Sequence, residues 1–342
     1  MDHVELAPGY TISRVIKGGW QLAGGHGAID ERAALADMER FVDAGITTFD
    51  CADIYTGVEA LIGRFLRSRG NSATPVQVHT KLVPDLSTLS TFNAADVVTA
   101  IDRSLTRLGV ERLDLVQFHW WDYDVPRYLD VLGELARMRE CGKVRLIGLT
   151  NFDTVRLSEI VDSGIPIASH QVQYSLLDRR PAASMADACR TRGVALLCYG
   201  SLAGGFLGER WLGVDEPPFP HENRSLTKYH LILQEFGGWR LFQELLAVLS
   251  RIAQRHRVGI GSVAIRHVLN RPQVAAAIVG ATSARHLDAT LKGEQLRLEP
   301  EDVRAIEEVL ARATGPTGEV YALERIKGGR HARIMKYELN RT

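Results

Sequence analysis

The chain has no charge imbalance. Lys+Arg and Asp+Glu are both 41 over 342 residues, so the formal net charge is zero. Without a basic excess, nothing in the composition points to nucleic acid or an anionic membrane surface as a partner. Cysteine is scarce: Cys51, Cys141, Cys189 and Cys198 form no CxxC pair and no cluster with histidines. That argues against a structural zinc site or a disulfide framework. Reduced thiols in a cytoplasmic protein are expected instead. An apolar run of about 18 residues is missing, so no transmembrane helix is expected. The opening Met1-Asp2-His3-Val4-Glu5 has neither a basic nor an apolar stretch, so no secretory leader is expected. No G-x-G-x-x-G follows an early strand, which leaves a Rossmann reading without support.

What is there is an alternation. Hydrophobic residues at 45% and charged residues at 24% are the ordinary mix of a globular protein, long enough to bury a large core. Short apolar, β-branched runs at 15–19, 46–50, 76–81, 113–119, 144–149, 168–174, 194–199 and 274–279 predict eight strands. Between them lie predicted helices at 30–44, 58–69, 94–108, 127–141, 153–163, 180–192, 240–256, 260–270 and 284–292. Many of these helices stop at glycine, as at Gly45, Gly70-Asn71, Gly109, Gly142, Gly164 and Gly193. Eight βα units predict a closed (β/α)₈ barrel of the TIM type over about 15–313, within a single domain 1–342. A hairpin over 4–13, turning at Ala7-Pro8-Gly9, would plug one end. A glycine-rich loop at 21–28 follows the first barrel strand, and a further helix is expected at 301–313. The stretch 203–238, with Pro217, Pro218 and Pro220, reads as irregular, and the tail 314–342 is rich in basic residues. Both are long enough to lie over one face as lids.

In such a barrel the C-terminal strand ends form the rim that carries chemistry. The residues closing the strands are Gly19-Trp20, Asp50 with Tyr55 five positions on, Lys81, His119, Thr150-Asn151, Gln171, Tyr199 to Ser201, and Gly280 to Thr282. Four of them suit one reaction. A phenol is a poor acid near neutrality, but a lysine ammonium beside Tyr55 would favour its ionised form. Asp50 would hold Lys81 in place. The phenol would then give a proton to an oxygen gaining negative charge, and His119 would hydrogen-bond and orient that same oxygen. Taken singly, each residue has an ordinary explanation: a helix cap for Asp50, solvation for Lys81, core packing for His119 and Tyr55. Their joint occurrence at adjacent strand ends favours the chemical reading. Asp53 has no part in that chain and is expected to be structural.

These residues resemble the aldo-keto reductases. Phe49-Asp50-Cys51-Ala52-Asp53-Ile54-Tyr55 is similar to the family's Asp-to-Tyr motif, Lys81 to its lysine, and His119 in Asp114-Leu115-Val116-Gln117-Phe118-His119 to its histidine. Gly148-Leu149-Thr150-Asn151-Phe152 is similar to the family's Gly-x-Ser-Asn-Phe, with Thr150 for the serine. The likeness continues through Gln171 to Leu176 and Tyr199 to Gly205, and covers about 10–312. It implies a catalytic tetrad of Asp50, Tyr55, Lys81 and His119, with NADP(H) as the hydride source and NAD(H) as the alternative. It also implies cofactor contacts from Gly19, Trp20 and Asp50, from Thr150, Asn151 and Gln171 to the carboxamide, and from Tyr199 under the ring. Ser201, Leu202 and Gly204 would lie along the pyrophosphate. At the adenosine end the sequence departs from the family. Thr282 stands where relatives often carry a basic residue, and Thr290 where they usually carry asparagine. After Gly280 only Arg285 and His286 are basic, and Arg285 reads either as a partner for a 2′-phosphate or as a solvated helix residue.

Trp20, Trp120 and Trp121 are expected to wall a pocket for a small aldehyde, ketone or alcohol, including the flat face of a sugar. In the tail, Arg325, Lys327, Arg330, Arg333 and Lys336 read either as solvated surface or as attraction for an acidic substrate or the cofactor phosphate. The competing functional class is an accessory subunit that keeps barrel and cofactor but turns over slowly or not at all. A metal-dependent hydrolase would need more rim ligands than Asp50 and His119, so no metal is expected.

Overall fold

The computed structural model describes residues 1–24, 27, 29–70 and 74–340. Gly25, His26 and Ala28 of the glycine-rich loop, and Asn71 of one expected helix stop, lie outside the described residues.

The chain opens with an antiparallel hairpin, β1 (His3–Ala7) and β2 (Tyr10–Ser13). Eight parallel strands follow: β3 (Val15–Gly18), β4 (Thr48–Asp50), β5 (Gln77–Leu82), β6 (Leu113–Phe118), β7 (Val144–Thr150), β8 (Ile167–Gln173), β9 (Ala195–Tyr199) and β10 (Val274–Gly280). They close in the order β10-β3-β4-β5-β6-β7-β8-β9, as the alternating pattern predicts. β4 starts two residues later than its apolar run, because Ile46 and Thr47 lead into the sheet before strand pairing begins with Thr48 against Gln77.

Local chemistry sets the helix limits. The helix α1 (Glu31–Asp43) starts at Asp30, whose carboxylate accepts from the backbone of Ala33. After α2 (Val58–Arg69), α3 (Ala94–Leu108) opens on a capping box between Asn93 and Asp96 and ends at Gly109 in the left-handed region. The ring continues with α4 (Tyr128–Glu140), α5 (Thr154–Asp162) and α6 (Ser184–Arg192). Between strands and helices lies the main core. Phe49, Phe65, Phe118 and Phe152 are fully buried there, each contributing about 1.5–3 kcal/mol.

The hairpin plugs the barrel end away from the strand C-termini. Leu6, Tyr10 and Ile12 pack with Ile16, Leu115, Leu197 and Ala276 inside the barrel. The backbone N–H of Ser13 donates to Thr48 at the start of β4.

One expectation fails here. The stretch 203–238 is not irregular throughout: it holds α7 (Arg224–Phe236). Asn223 caps α7 through the N–H groups of Ser225 and Leu226. Ile232, Leu233 and Phe236 bury its apolar face against α8 (Gly238–His256), in a second core shared with α9 (Ile260–Leu269). The last helices are α10 (Leu287–Gln295), α11 (Pro300–Leu310) and the short α12 (Ala322–Arg325). Beyond α11 the tail crosses the barrel mouth. Glu319 accepts from Thr154 at one side, and Asn340 donates to Val83 at the other. Among the described residues no helix is long and apolar enough to cross a membrane.

Candidate active site

Four strand ends build the floor of the barrel mouth. β4 ends in Asp50, and its neighbour β5 presents Lys81. The Lys81 ammonium donates to Asp50 Oδ2 at 2.6 Å and to the Cys51 carbonyl at 2.8 Å. Asp50 Oδ1 accepts from Gln117 Nε2 at 3.0 Å and Gln171 Nε2 at 2.7 Å. The carboxylate is buried with both oxygens bonded, as a buried charge requires. Burial alone would lower the proton affinity of Lys81, but Asp50 and then Tyr55 outweigh it and the ammonium titrates above its ordinary range.

The Lys81 ammonium lies 5.2 Å from the centre of the Tyr55 ring. The phenol nevertheless titrates above its usual range: burial raises it, and Lys81, already committed to Asp50 and Cys51, only partly opposes that. The expected net lowering is therefore absent. Tyr55 is a protonated donor at neutral pH.

His119 follows β6. Its Nδ1 lies 3.1 Å from the Thr150 carbonyl. A carbonyl only accepts, so Nδ1 carries the proton and donates. Burial, with Arg325 acting in the same direction, lowers the imidazole to about 3, so the ring is neutral and Nε2 keeps a bare lone pair. Nε2 is buried without a partner. In this tautomer Nε2 is free to accept from an O–H and has no proton to give to a carbonyl oxygen. Trp121 and Tyr321 stand edge-on to the ring at 4.3 and 5.5 Å.

A cavity of about 590 Å³ extends from this floor along the strand ends. Asp50, Tyr55, Lys81, His119, Trp20, Trp121, Thr150, Asn151, Gln171 and Tyr199 all line it. So do Ser201, Leu202, Gly204, Gly280, Thr282, Arg285 and Thr290. Some of their groups are already engaged. Asn151 Oδ1 accepts from the Tyr199 hydroxyl, leaving Nδ2 to donate. Gln171 Nε2 serves Asp50 and Gln117, leaving Oε1 to accept. Thr290 Oγ1 donates to the His286 carbonyl within its own helix. Arg285 is exposed beside His286. The Ser201 hydroxyl is buried without a partner. Asp53 Oδ2 accepts from the Val83 N–H, away from the Lys81 pair.

Two expected residues do not line the cavity. Gly19 lies behind the strand ends, where its N–H donates to the Asp50 carbonyl at 2.7 Å. A Cβ there would come within 2.8 Å of that oxygen, so the glycine allows close backbone approach rather than ligand contact. Trp120 is fully buried, against Phe118. Past β6 the extended chain alternates: His119 and Trp121 face the mouth, and Trp120 turns into the core.

Several lining residues escaped the sequence reading. Gln21 Oε1 is buried in the wall without a partner. Arg210, Arg224, Lys228 and Tyr229 come from the lid stretch, and Tyr321, Met335 and Leu339 from the tail, where they join Lys336, one of the basic tail residues named above. Gln117, one turn of alternation before His119, completes the Asp50 network. Its position on an inward-facing strand site was readable, since Gln is unusual in a buried strand. The tail residues had no such signal. Of the tail's basic side chains, Arg325 is drawn inward: it donates to the Asn151 and Trp120 carbonyls at 2.8 Å and stacks 4.2 Å from the Tyr123 ring.

The family model described as "Aldo/keto reductase family" matches residues 14–311. The chain is 32% identical over 253 residues to flagellar radial spoke protein 5 of Chlamydomonas reinhardtii, covering 63% of this chain and 48% of that protein. It thus spans about half the length of that relative. It is 27% identical over 300 residues to the aldo-keto reductase yakc of Schizosaccharomyces pombe, whose name carries NADP(+), covering 84% of this chain and 85% of the relative. Aldo-keto reductase YhdN of Bacillus subtilis is 27% identical over 323 residues, covering 91% and 94%. Among solved structures, the glycerol dehydrogenase AKR11B4 of Gluconobacter oxydans superposes with a TM-score of 0.78 at 24% identity, covering 93% of this chain and 98% of that one. At that identity the likeness speaks to the fold.

Proposed function

We infer the reaction from one premise: this chain belongs to the aldo/keto reductase family. It is an oxidoreductase that interconverts carbonyl and alcohol groups. We propose that Tyr55 is its general acid and base. In reduction, the Tyr55 O–H gives its proton to the carbonyl oxygen as negative charge builds there. Lys81, fixed by Asp50, stabilises the phenolate left behind. In oxidation, the alcohol O–H first donates to His119 Nε2, which orients the alcohol. The same proton then passes to Tyr55, which acts in this direction as the phenolate stabilised by Lys81, as hydride leaves the carbon.

The cofactor class fits residues of this chain. A cavity of about 590 Å³ carries buried groups with unused hydrogen-bonding capacity, Ser201 Oγ and Gln21 Oε1, beyond the reacting floor. The nicotinamide supplies hydride in one direction and accepts it in the other. Tyr199, Thr150, Asn151 and Gln171 would hold its ring and carboxamide. Ser201, Leu202 and Gly204 would hold the pyrophosphate, and Gly280, Thr282, Arg285 and Thr290 the adenosine end. NADP(H) is the proposed form, because Arg285 and His286 are both basic there and the yakc relative carries NADP(+) in its name.

The observation that carries the reading is the convergence of Asp50, Lys81, Tyr55 and His119 on one cavity, with the Lys81 ammonium between carboxylate and phenol. Tyr55→Phe tests it. Turnover of an aldehyde should fall by roughly 10²–10⁴, while NADPH binding, read by fluorescence quenching, stays near wild type. A variant that keeps most of its rate removes Tyr55 from the role.

A further inference from the structure

The cavity is far more basic than the chain. Among the described residues six cationic side chains line it, Lys81, Arg210, Arg224, Lys228, Arg285 and Lys336, against one acid, Asp50. Lys81 and Asp50 cancel. Arg210, whose guanidinium approaches Gly205, and Arg285 lie along the segments proposed above for the cofactor. Lys228 has no such explanation.

Lys228 sits on α7 with its ammonium 5.1 Å from the Tyr199 ring centre, 5.7 Å from Tyr321 and 5.8 Å from Tyr229. An ammonium has three N–H donors. None of the described residues accepts a hydrogen bond from this one, and its nearest carboxylate, Glu324, is 3.8 Å away. Glu324 also faces Arg180 at 3.7 Å, and both its oxygens are buried without a hydrogen-bond partner. Arg180 is itself clamped by Asp178. With Arg224 one turn before Lys228, the groups facing Lys228 leave Lys228, Arg180 and Arg224 against Glu324 and Asp178, one positive charge in excess. Burial lowers the proton affinity of Lys228, and Arg180 and Arg224 act in the same direction against Glu324 and Asp178. A cation held this way is unfavourable unless an anion meets it. The Lys228 side chain is 17% exposed, so its face is open. Its position relative to the floor is also defined: Tyr321 lies between it and His119.

We propose that Lys228 anchors a carboxylate on the substrate, so that the enzyme prefers small aldehydes, ketones or alcohols bearing a carboxylate away from the reacting carbon. This rests on the reading that Tyr55 and His119 mark the reacting position. The carboxylate accepts the unused ammonium protons, and the aromatic rings around Lys228 keep the contact partly dry, where a charge-assisted bond is stronger.

The full-length protein tests this with NADPH and a matched pair of substrates, 4-carboxybenzaldehyde and benzaldehyde. The readout is the ratio of their kcat/KM values. Wild type should favour the carboxylate by roughly tenfold to a hundredfold, the range of one charge-assisted hydrogen bond. Lys228→Met should bring the ratio close to one, and Lys228→Arg should keep much of it. If Lys228→Met folds poorly because Glu324 loses its cation, the double variant Lys228→Met with Glu324→Gln keeps the local charge balance and should also lose the preference. A wild-type ratio near one, or a ratio that survives Lys228→Met or the double variant, overturns the proposal while benzaldehyde turnover leaves the Tyr55 reading intact. Turnover of neither aldehyde defeats that reading, and this inference falls with it.

Discussion

The two sides of the cavity are built by different rules. The floor is made of strand ends. There Asp50 meets three donors and Lys81 two acceptors, all between 2.6 and 3.0 Å. The opposite wall is made of α7 and the tail. There Glu324 stands off from Arg180 and Lys228 at 3.7 and 3.8 Å, and Glu324, Arg224 Nη1, Arg325 Nε and His331 Nδ1 are left without hydrogen bonds. The difference follows from the parts. Parallel strands fix neighbouring side chains through a shared ladder, so a polar network between them closes on itself. A helix and an irregular segment share no such ladder and tolerate gaps. The floor is therefore suited to a chemical step that needs one geometry, and the wall to selecting what reaches it.

Breaking the floor should give the largest effect. Lys81→Met removes the cation from a buried carboxylate, which we expect to destabilise the fold by about 3–5 kcal/mol. It also strips Tyr55 of its phenolate-stabilising neighbour, and kcat/KM for an aldehyde should drop by roughly 10²–10⁴. Adding Asp50→Asn should restore much of the stability, measured by urea unfolding, and none of the activity. If the double variant regained activity, the ion pair would be structural and the floor no different from the wall.

A cut in the wall should do less, and differently. Arg325 ties the tail to the rim through the Asn151 and Trp120 carbonyls and covers Tyr123. Arg325→Ala leaves two carbonyls short of a donor, a loss of about 1–3 kcal/mol. Because the tail also brings Tyr321 and Met335 to the cavity, KM for the aldehyde should rise by roughly tenfold, with kcat much less affected. A fall in kcat as deep as that of Lys81→Met would place the tail in the chemistry and erase the distinction.

The same contrast explains what could be read in the sequence. The barrel was legible because each strand is an apolar run and each helix has its own stops, both local signals. The floor was legible because its polar residues interrupt those runs at their ends. Gln117 hid inside a run, and Trp120 was misplaced because it was grouped with Trp20 and Trp121 as pocket wall, although alternation past β6 sends it inward. The wall was not legible. Three prolines in 217–220 masked the start of α7, and the register between tail and rim depends on contacts between residues more than 170 positions apart, such as Arg325 with Asn151. The tautomer of His119 depends likewise on a carbonyl from another strand.

The smallest effect separates two carboxylates three residues apart. Asp50 has a lysine and two amides; Asp53, equally buried, has backbone N–H groups led by that of Val83, and Arg103 at 3.8 Å. Burial, with Glu59 adding to it, raises Asp53 from its usual range to about 8, against the Val83 N–H and Arg103. The folded protein thus binds a proton that the unfolded chain has already lost above about pH 4. Stability from this group is complete below that unfolded value and declines as pH rises toward 8, because the native state holds more protons across that window. The slope cannot exceed about 1.4 kcal/mol per pH unit for one proton. Asp53→Asn removes the titration and keeps an acceptor for Val83. Its stability relative to wild type, from urea unfolding between pH 5 and 8, should therefore improve steadily with pH, while aldehyde turnover changes little. A difference that stays flat with pH would mean that Arg103 keeps Asp53 ionised, so that this edge of the floor is as well compensated as Asp50.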